Sequence, residues 1–140
     1  MGLFNSMFGS KHPDLDSKSD AASQIARQGH ALEAFVSSAN DRMEAIPGDG
    51  PLYVFVGRPP KAFGLVWFDG DGRHDVRSMV ESKAMTRDAA SQLAQELPVI
   101  YSRYSEEGRF AHKIGSTSIV VTPSAAFYAE LQQAVTQAQA

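Results

Sequence analysis

The chain has 140 residues, of which 43% are hydrophobic and 21% are charged, and its formal net charge is −3. This length and apolar fraction favour one globular domain with a core of its own and exclude global disorder. The acidic balance argues against a dedicated nucleic-acid binder, which usually carries a basic footprint. The absence of cysteine excludes disulfides, thiolate metal sites and a cysteine nucleophile.

Apolar segments are too short to suggest insertion into a membrane. No apolar run approaches the roughly 18–20 residues that span a bilayer. The N-terminus also lacks a basic region followed by a long apolar stretch, so no secretory signal is evident. We therefore expect a cytoplasmic protein.

Residues 1–19 are predicted to form a flexible N-terminal segment with an apolar foot, ahead of a single domain at 20–140. The foot has four apolar residues at helical spacing: Leu3, Phe4, Met7 and Phe8. These side chains share one face if the segment is helical. We favour packing of the foot on the domain or on a neighbouring subunit over membrane contact through residues 1–8.

One long helix is predicted over residues 20–46, ended by Pro47. Its apolar stripe advances in steps of three and four: Ile25, Leu32, Val36, Ala39, Met43 and Ile46. The spacing fits a helix lying across a sheet, which we favour, and it also fits the seam of a coiled-coil dimer. In a dimer, Leu32, Val36 and Met43 are the predicted interface.

Residues 51–80 are predicted to form three consecutive antiparallel strands. The first, at 52–56, is apolar at every position, which is typical of a central strand covered on both faces. A proline-containing loop leads to the second strand at 63–68. The Asp-Gly turn at 69–72 then leads to a third, more polar strand over 73–80.

A second helix is predicted over residues 86–97, because Thr86 is a suitable N-cap and Pro98 ends it. The run at 98–104 fits either a strand or a continued helix, and its β-branched and aromatic residues favour the strand. Two further strands, at 109–114 and 117–121, precede a C-terminal helix.

The predicted fold class is α+β. An N-terminal helix precedes an antiparallel sheet of five to six strands in two groups separated by a helix, a C-terminal helix follows, and the helices pack on the sheet. This element order is similar to that of several small interaction folds, including type III secretion chaperones and roadblock or longin-like domains. No sequence motif accompanies the similarity, and a shared fold does not fix function.

Few residues suggest chemistry. The four histidines lie far apart and lack the spacing of a zinc site, so neither a metal nor another cofactor is predicted. The acidic turn around His74 departs from the calcium-loop pattern at its fifth and sixth positions. No serine or carboxylate is placed by the sequence to complete a nucleophile–base set, which favours a protein that is not an enzyme.

Two functions remain open from the sequence. The favoured one is a non-catalytic protein–protein interaction or adaptor module, homodimeric and without a nucleic-acid partner, that uses the first helix or a free sheet edge. The alternative is a small-ligand-binding domain or enzyme with a site between the sheet and a helix. That site would use Arg58, Tyr101 and His112 as anion-binding, hydroxyl and acid–base groups.

Overall fold

The structure is a computed structural model that describes residues 12–139. In this range the helices and strands are α1 (Asp20–Ala26), α2 (Gly29–Ser38), β1 (Met43–Ile46), β2 (Leu52–Arg58), β3 (Ala62–Asp69), β4 (Gly72–Asp75), α3 (Val76–Glu81), α4 (Arg87–Arg103), β5 (Phe110–Ile114), β6 (Thr117–Val121) and α5 (Ala125–Ala138). The predicted α+β class is confirmed, with helices packed on a sheet of six strands.

The strands lie in the order β4-β3-β2-β1-β6-β5. All neighbouring strands are antiparallel except β1 and β6, which run parallel with Glu44 opposite Val120. The sheet is therefore mixed, whereas the sequence predicted an antiparallel one. A parallel neighbour requires a long crossover, and the chain between β4 and β5 supplies it through α3 and α4.

Each face of the sheet is covered by its own pair of helices. On the α1–α2 face the buried side chains are mostly aliphatic and include Ile25, Leu32, Val36, Leu52, Val54, Val66, Ile119 and Val121. On the α4–α5 face they are richer in aromatic rings and include Tyr53, Phe55, Trp67, Leu93, Leu97, Tyr101, Phe127 and Leu131. Because β1 is central and covered on both faces, all four of its residues are buried.

The predicted single helix over residues 20–46 is wrong. Helix α1 ends at Ala26, α2 begins at Gly29 with a positive φ of 54°, and Met43–Ile46 is a strand. Glycine adopts this φ without the steric cost that a side chain would add, so Gly29 allows the chain to change direction. The early part of the apolar stripe is helical, as predicted, while its last two residues belong to β1.

The predicted strand at 98–104 is also wrong, because α4 continues through Pro98 to Arg103. Proline inside a helix costs about 3 kcal/mol. Ile100 and Tyr101 extend the buried face that Leu93 and Leu97 begin, and each such burial contributes roughly 1.5–3 kcal/mol. The packing therefore outweighs the break that proline introduces.

The strand predicted over residues 73–80 stops at Asp75. Its carboxylate accepts a hydrogen bond from the Ser78 backbone N–H at 2.7 Å, and the Ser78 hydroxyl interacts with the Asp75 backbone in return. This capping box starts α3 and turns the chain away from the sheet.

The chain joins the sheet before residue 20. Ala111 in β5 donates to the Pro13 carbonyl at 2.8 Å, and the Leu15 N–H donates to the Ala111 carbonyl at 2.8 Å. Leu15 is buried in the core of the α1–α2 face. The outer edge of β5 is thereby partly paired.

Candidate functional site

A buried carboxylate lies where β1, α4, β5 and β6 meet. Glu44 is fully buried, and its two oxygens accept hydrogen bonds from the Tyr101 hydroxyl at 2.7 Å, the Thr122 hydroxyl at 2.6 Å and Arg109 Nε at 3.0 Å. The Arg42 guanidinium lies at the rim, 3.7 Å from the same carboxylate. These five residues are called the Glu44 cluster below.

In the Glu44 cluster, the charges of Glu44 and Arg109 have partners within the same chain. Burial, together with the hydrogen bond to Glu44, raises the pKa of the Tyr101 hydroxyl. Burial is the largest single influence on the pKa of Arg109 and would lower it, but the charges and hydrogen bonds of Glu44 and Tyr101 together outweigh burial, and the pKa is raised. Arg109 also donates to the Ser105 and Glu107 carbonyls, at 3.1 and 3.2 Å. These contacts favour a charged Arg109 and a neutral Tyr101.

This arrangement suits a structural role better than a reaction. Both oxygens of Glu44 are occupied by donors of the same chain, and the residue has no exposed surface. In the described range, no buried polar side-chain atom lacks a hydrogen-bond partner. A general base must reach a substrate proton, and Glu44 has neither an open oxygen nor access to solvent.

The three predicted ligand-binding residues do not come together. Tyr101 is part of the Glu44 cluster on the α4–α5 face. His112 is paired with Ile119, whose side chain lies in the core of the opposite face. Arg58 is exposed at the end of β2, where it pairs with Ala62 across a turn.

His112 lines a cavity of about 320 Å³ between the α1–α2 junction and the β5–β6 hairpin. Ile25 and Leu32 contribute buried apolar surface to it, while Lys113 and Glu33 contribute charge. Burial lowers the pKa of His112, so the neutral imidazole is favoured. No other described residue forms a hydrogen bond with this ring, which leaves one donor and one acceptor for a ligand.

The predicted interface residues are covered by the chain itself. Leu32 and Val36 on α2 are 2% and 1% exposed, and Met43 on β1 is 2% exposed. All three belong to the core of the α1–α2 face. The predicted foot, Leu3, Phe4, Met7 and Phe8, lies outside the described residues.

A different surface combines exposed apolar area with unpaired charge. Between α4 and α5 lies a groove of about 550 Å³, whose rim includes Gln95, Glu96, Val99, Arg103, Glu130 and Gln133. Val99 is 57% exposed, and no other large hydrophobic side chain in residues 12–139 is exposed to a comparable degree. Arg103 forms an ion pair with Glu130, whereas Glu96 forms none with the described residues. We call this surface the α4–α5 groove.

The acidic hairpin between β3 and β4 is satisfied internally. The Asp69 carboxylate accepts a hydrogen bond from the Asp71 N–H at 2.8 Å and lies 2.9 Å from His74 Nε2. Within the described range, no group of three or more histidine and acidic side chains is placed to hold a metal ion.

Several important residues were not singled out by the sequence. Glu44 gives one usable signal, since it is a lone charge between apolar neighbours in the run Met43-Glu44-Ala45-Ile46. Thr122 and Arg109 join it only through the pairing of β1 with β6 and of β6 with β5. Val99 is exposed because α4 continues past Pro98. Residues 98–104 were predicted to form a strand, so this exposure was not expected.

Comparison with family models, with curated proteins and with solved structures gives no match to this chain. In the part of the chain that the structure describes, no helix has the length and apolar character needed to cross a membrane.

Proposed function

We propose that this chain is a non-catalytic protein–protein interaction module of the cytoplasm that works as a homodimer. Its contact surface is the α4–α5 groove. The observation that carries the proposal is the exposure of Val99 beside Glu96, a carboxylate without an ion-pair partner among the described residues. Interfaces combine an apolar centre with a polar, charged rim, and this surface has both components.

The interior supports the same function. The buried charges are used within the Glu44 cluster, and the helices cover both faces of the sheet. Recognition at the outer surface therefore needs no rearrangement of the core. A preformed surface loses less conformational entropy on binding than one that must first become ordered.

Light scattering on the full chain, diluted through the micromolar range, tests the homodimer. We expect a mass of two chains at the higher concentrations and a decrease towards one chain on dilution. A mass of one chain throughout this range would contradict the homodimeric part of the proposal.

The cavity beside His112 supports a second candidate, a small-ligand-binding domain. Its volume of about 320 Å³ is near the lower end of typical ligand pockets, which span about 300–1,000 Å³. The apolar floor and the imidazole without an internal hydrogen bond suit a small organic acid.

A thermal-shift screen against organic acids, nucleotides and divalent metals tests this candidate. For any compound that raises the melting temperature, His112→Ala should abolish the shift. Arg58→Ala is the matched control, because Arg58 does not line this cavity. A shift that is unchanged by His112→Ala would remove this cavity as the site.

A further inference from the structure

We infer that the α4–α5 groove binds a second copy of this chain, with the two α4 helices antiparallel about a two-fold axis beside Val99 and Ile100. This assignment rests on the proposed function and adds the orientation of the partner. In a two-fold interface the same surface is used by both copies, so that surface must be complementary to itself.

The exposed stripe on α4 meets this requirement geometrically. Gln92, Glu96, Val99 and Arg103 follow one another in steps of four, three and four, so they lie along one face of the helix. Helix α4 has 17 residues, which corresponds to a length of about 25 Å. A stripe of this kind packs along a second helix at close to antiparallel orientation.

The charges on the stripe are also self-complementary. Glu96 lies three residues before Val99, and Arg103 lies three residues after Ile100. An antiparallel pair centred between Val99 and Ile100 therefore brings Glu96 of each copy opposite Arg103 of the other. The two-fold axis generates this contact twice, and each contact gives Glu96 the cation that it lacks within the chain.

Arg103 can make this contact without giving up its own partner. One of its terminal nitrogens, Nη1, binds Glu130 of the same chain. A guanidinium has five N–H donors, so others remain available for a second carboxylate. Arg103 is more than half exposed, which leaves these donors accessible.

The centre of the contact is apolar. Val99 of one copy faces the groove of the other, where Ile100 and Ala134 are 7% and 8% exposed and contribute to its lining. An unrelated acidic or basic partner would match only one sign of charge on this surface. A second copy matches both signs, which is why we choose it as the occupant.

Charge reversal at both positions tests the inference by sedimentation velocity. Glu96→Arg and Arg103→Glu should each weaken dimerisation by about tenfold or more, because each variant creates like-charge contacts at both symmetry-related positions. A mixture of the two variants should dimerise like the unmodified chain, since each copy then faces opposite charges. Asp71→Arg, at the distant β3–β4 hairpin, is the control with the same change of charge as Glu96→Arg and should have no effect.

Circular dichroism establishes that each variant is folded, and Arg103→Gln replaces Arg103→Glu if the latter unfolds. With Arg103→Gln, weaker dimerisation is the expected result, and its mixture with Glu96→Arg should recover only in part, because one of the two symmetry-related contacts then pairs Glu96 with Arg103. Dimers that persist in both single variants would overturn the inference while leaving the proposed homodimer intact on another surface. A chain that stays monomeric without any substitution would overturn both.

Discussion

Helix α4 contributes to two groups of charged side chains that differ in whether their partners lie in the same chain. Tyr101 points inward and donates to Glu44, within a cluster whose donors and acceptors are all internal. Two residues later, Arg103 points outward to the α4–α5 groove, next to a Glu96 that has no ion-pair partner among the described residues.

This difference separates charges that hold the fold from charges available for recognition. A buried carboxylate is tolerated only when its hydrogen bonds are complete, so the Glu44 cluster should contribute to stability and to little else. A charge at an exposed rim contributes little to the stability of the monomer and can select a partner. Substitutions in the Glu44 cluster should therefore lower the stability of the monomer. Substitutions in the α4–α5 groove should weaken binding of a partner and leave the stability of the monomer nearly unchanged.

The largest effect is expected at Glu44. Glu44→Ala leaves the partly buried Arg109, whose side chain is 13% exposed, without its carboxylate partner, and breaking a buried ion pair costs about 3–5 kcal/mol. Urea unfolding measures the loss. Glu96→Ala in the groove is the matched control and, at a protein concentration where the chain is monomeric, should change the free energy of unfolding by less than about 0.5 kcal/mol. Similar losses in the free energy of unfolding for the two substitutions would show that the Glu44 cluster and the groove do not differ in their contribution to stability.

A smaller cost is expected at Tyr101. Tyr101→Phe keeps the ring but removes the hydroxyl donor, and a hydrogen bond to a charged group contributes about 1.5–3 kcal/mol. Tyr53→Phe is the control, because no hydrogen bond from the Tyr53 hydroxyl is present among the described residues. Equal stability losses for both variants would show that the Tyr101 hydroxyl does not support Glu44.

The Tyr101 hydroxyl should also make stability depend on alkaline pH. Burial, followed by the hydrogen bond to Glu44, raises its pKa in the folded chain, whereas an unfolded tyrosine has a pKa near 10. The folded chain then holds the proton more tightly. Its stabilising contribution is complete below about pH 10 and is lost as the pH rises through the folded pKa.

Burial raises the pKa of Tyr53 and of Tyr128 as well, so both add to the loss of folding stability at alkaline pH. Urea unfolding at a series of alkaline pH values measures it, and Tyr101→Phe should make the decline less steep. A free energy of unfolding that increases with pH above 10 would contradict this assignment.

The smallest effect on stability is expected at Val99. Its side chain is 57% exposed, so at a protein concentration where the chain is monomeric Val99→Ser should change the free energy of unfolding by less than about 0.5 kcal/mol. Leu97→Ala, two residues earlier in the core, should cost about 2–5 kcal/mol. A cost above about 1 kcal/mol for Val99→Ser would place this residue in the core of the monomer and not at a contact surface.

Local sequence signals predicted the fold class better than they predicted the candidate site. The apolar run of β2, the Asp-Gly turn before β4 and the Thr86 cap of α4 all act over a few residues, and the structure contains each of them. At Pro98 a local signal failed. The buried positions 93, 97, 100 and 101 keep helical spacing across the proline. This pattern, which extends over more residues than the proline signal, determines the structure.

The Glu44 cluster could not be predicted in the same way. Glu44 is 57 residues from Tyr101 and 78 from Thr122 along the chain. Thr122 reaches Glu44 because β1 and β6 are parallel neighbours, and Tyr101 reaches it because α4 packs on the sheet. Neither strand order nor helix packing follows from local spacing. The α4–α5 groove likewise depends on how α5 packs beside α4.

A single introduced thiol tests the central claim most directly, because the chain contains no cysteine. In an antiparallel helix pair with axes about 8–10 Å apart, α carbons facing each other near the two-fold axis come close enough for a disulfide. Under mild oxidation, Val99→Cys should form a covalent dimer at concentrations where the unmodified chain is dimeric. Ala94→Cys, on the same helix but outside the groove, should remain monomeric on a non-reducing gel. Equal cross-linking at the two positions, or none at Val99→Cys, would contradict self-association through α4.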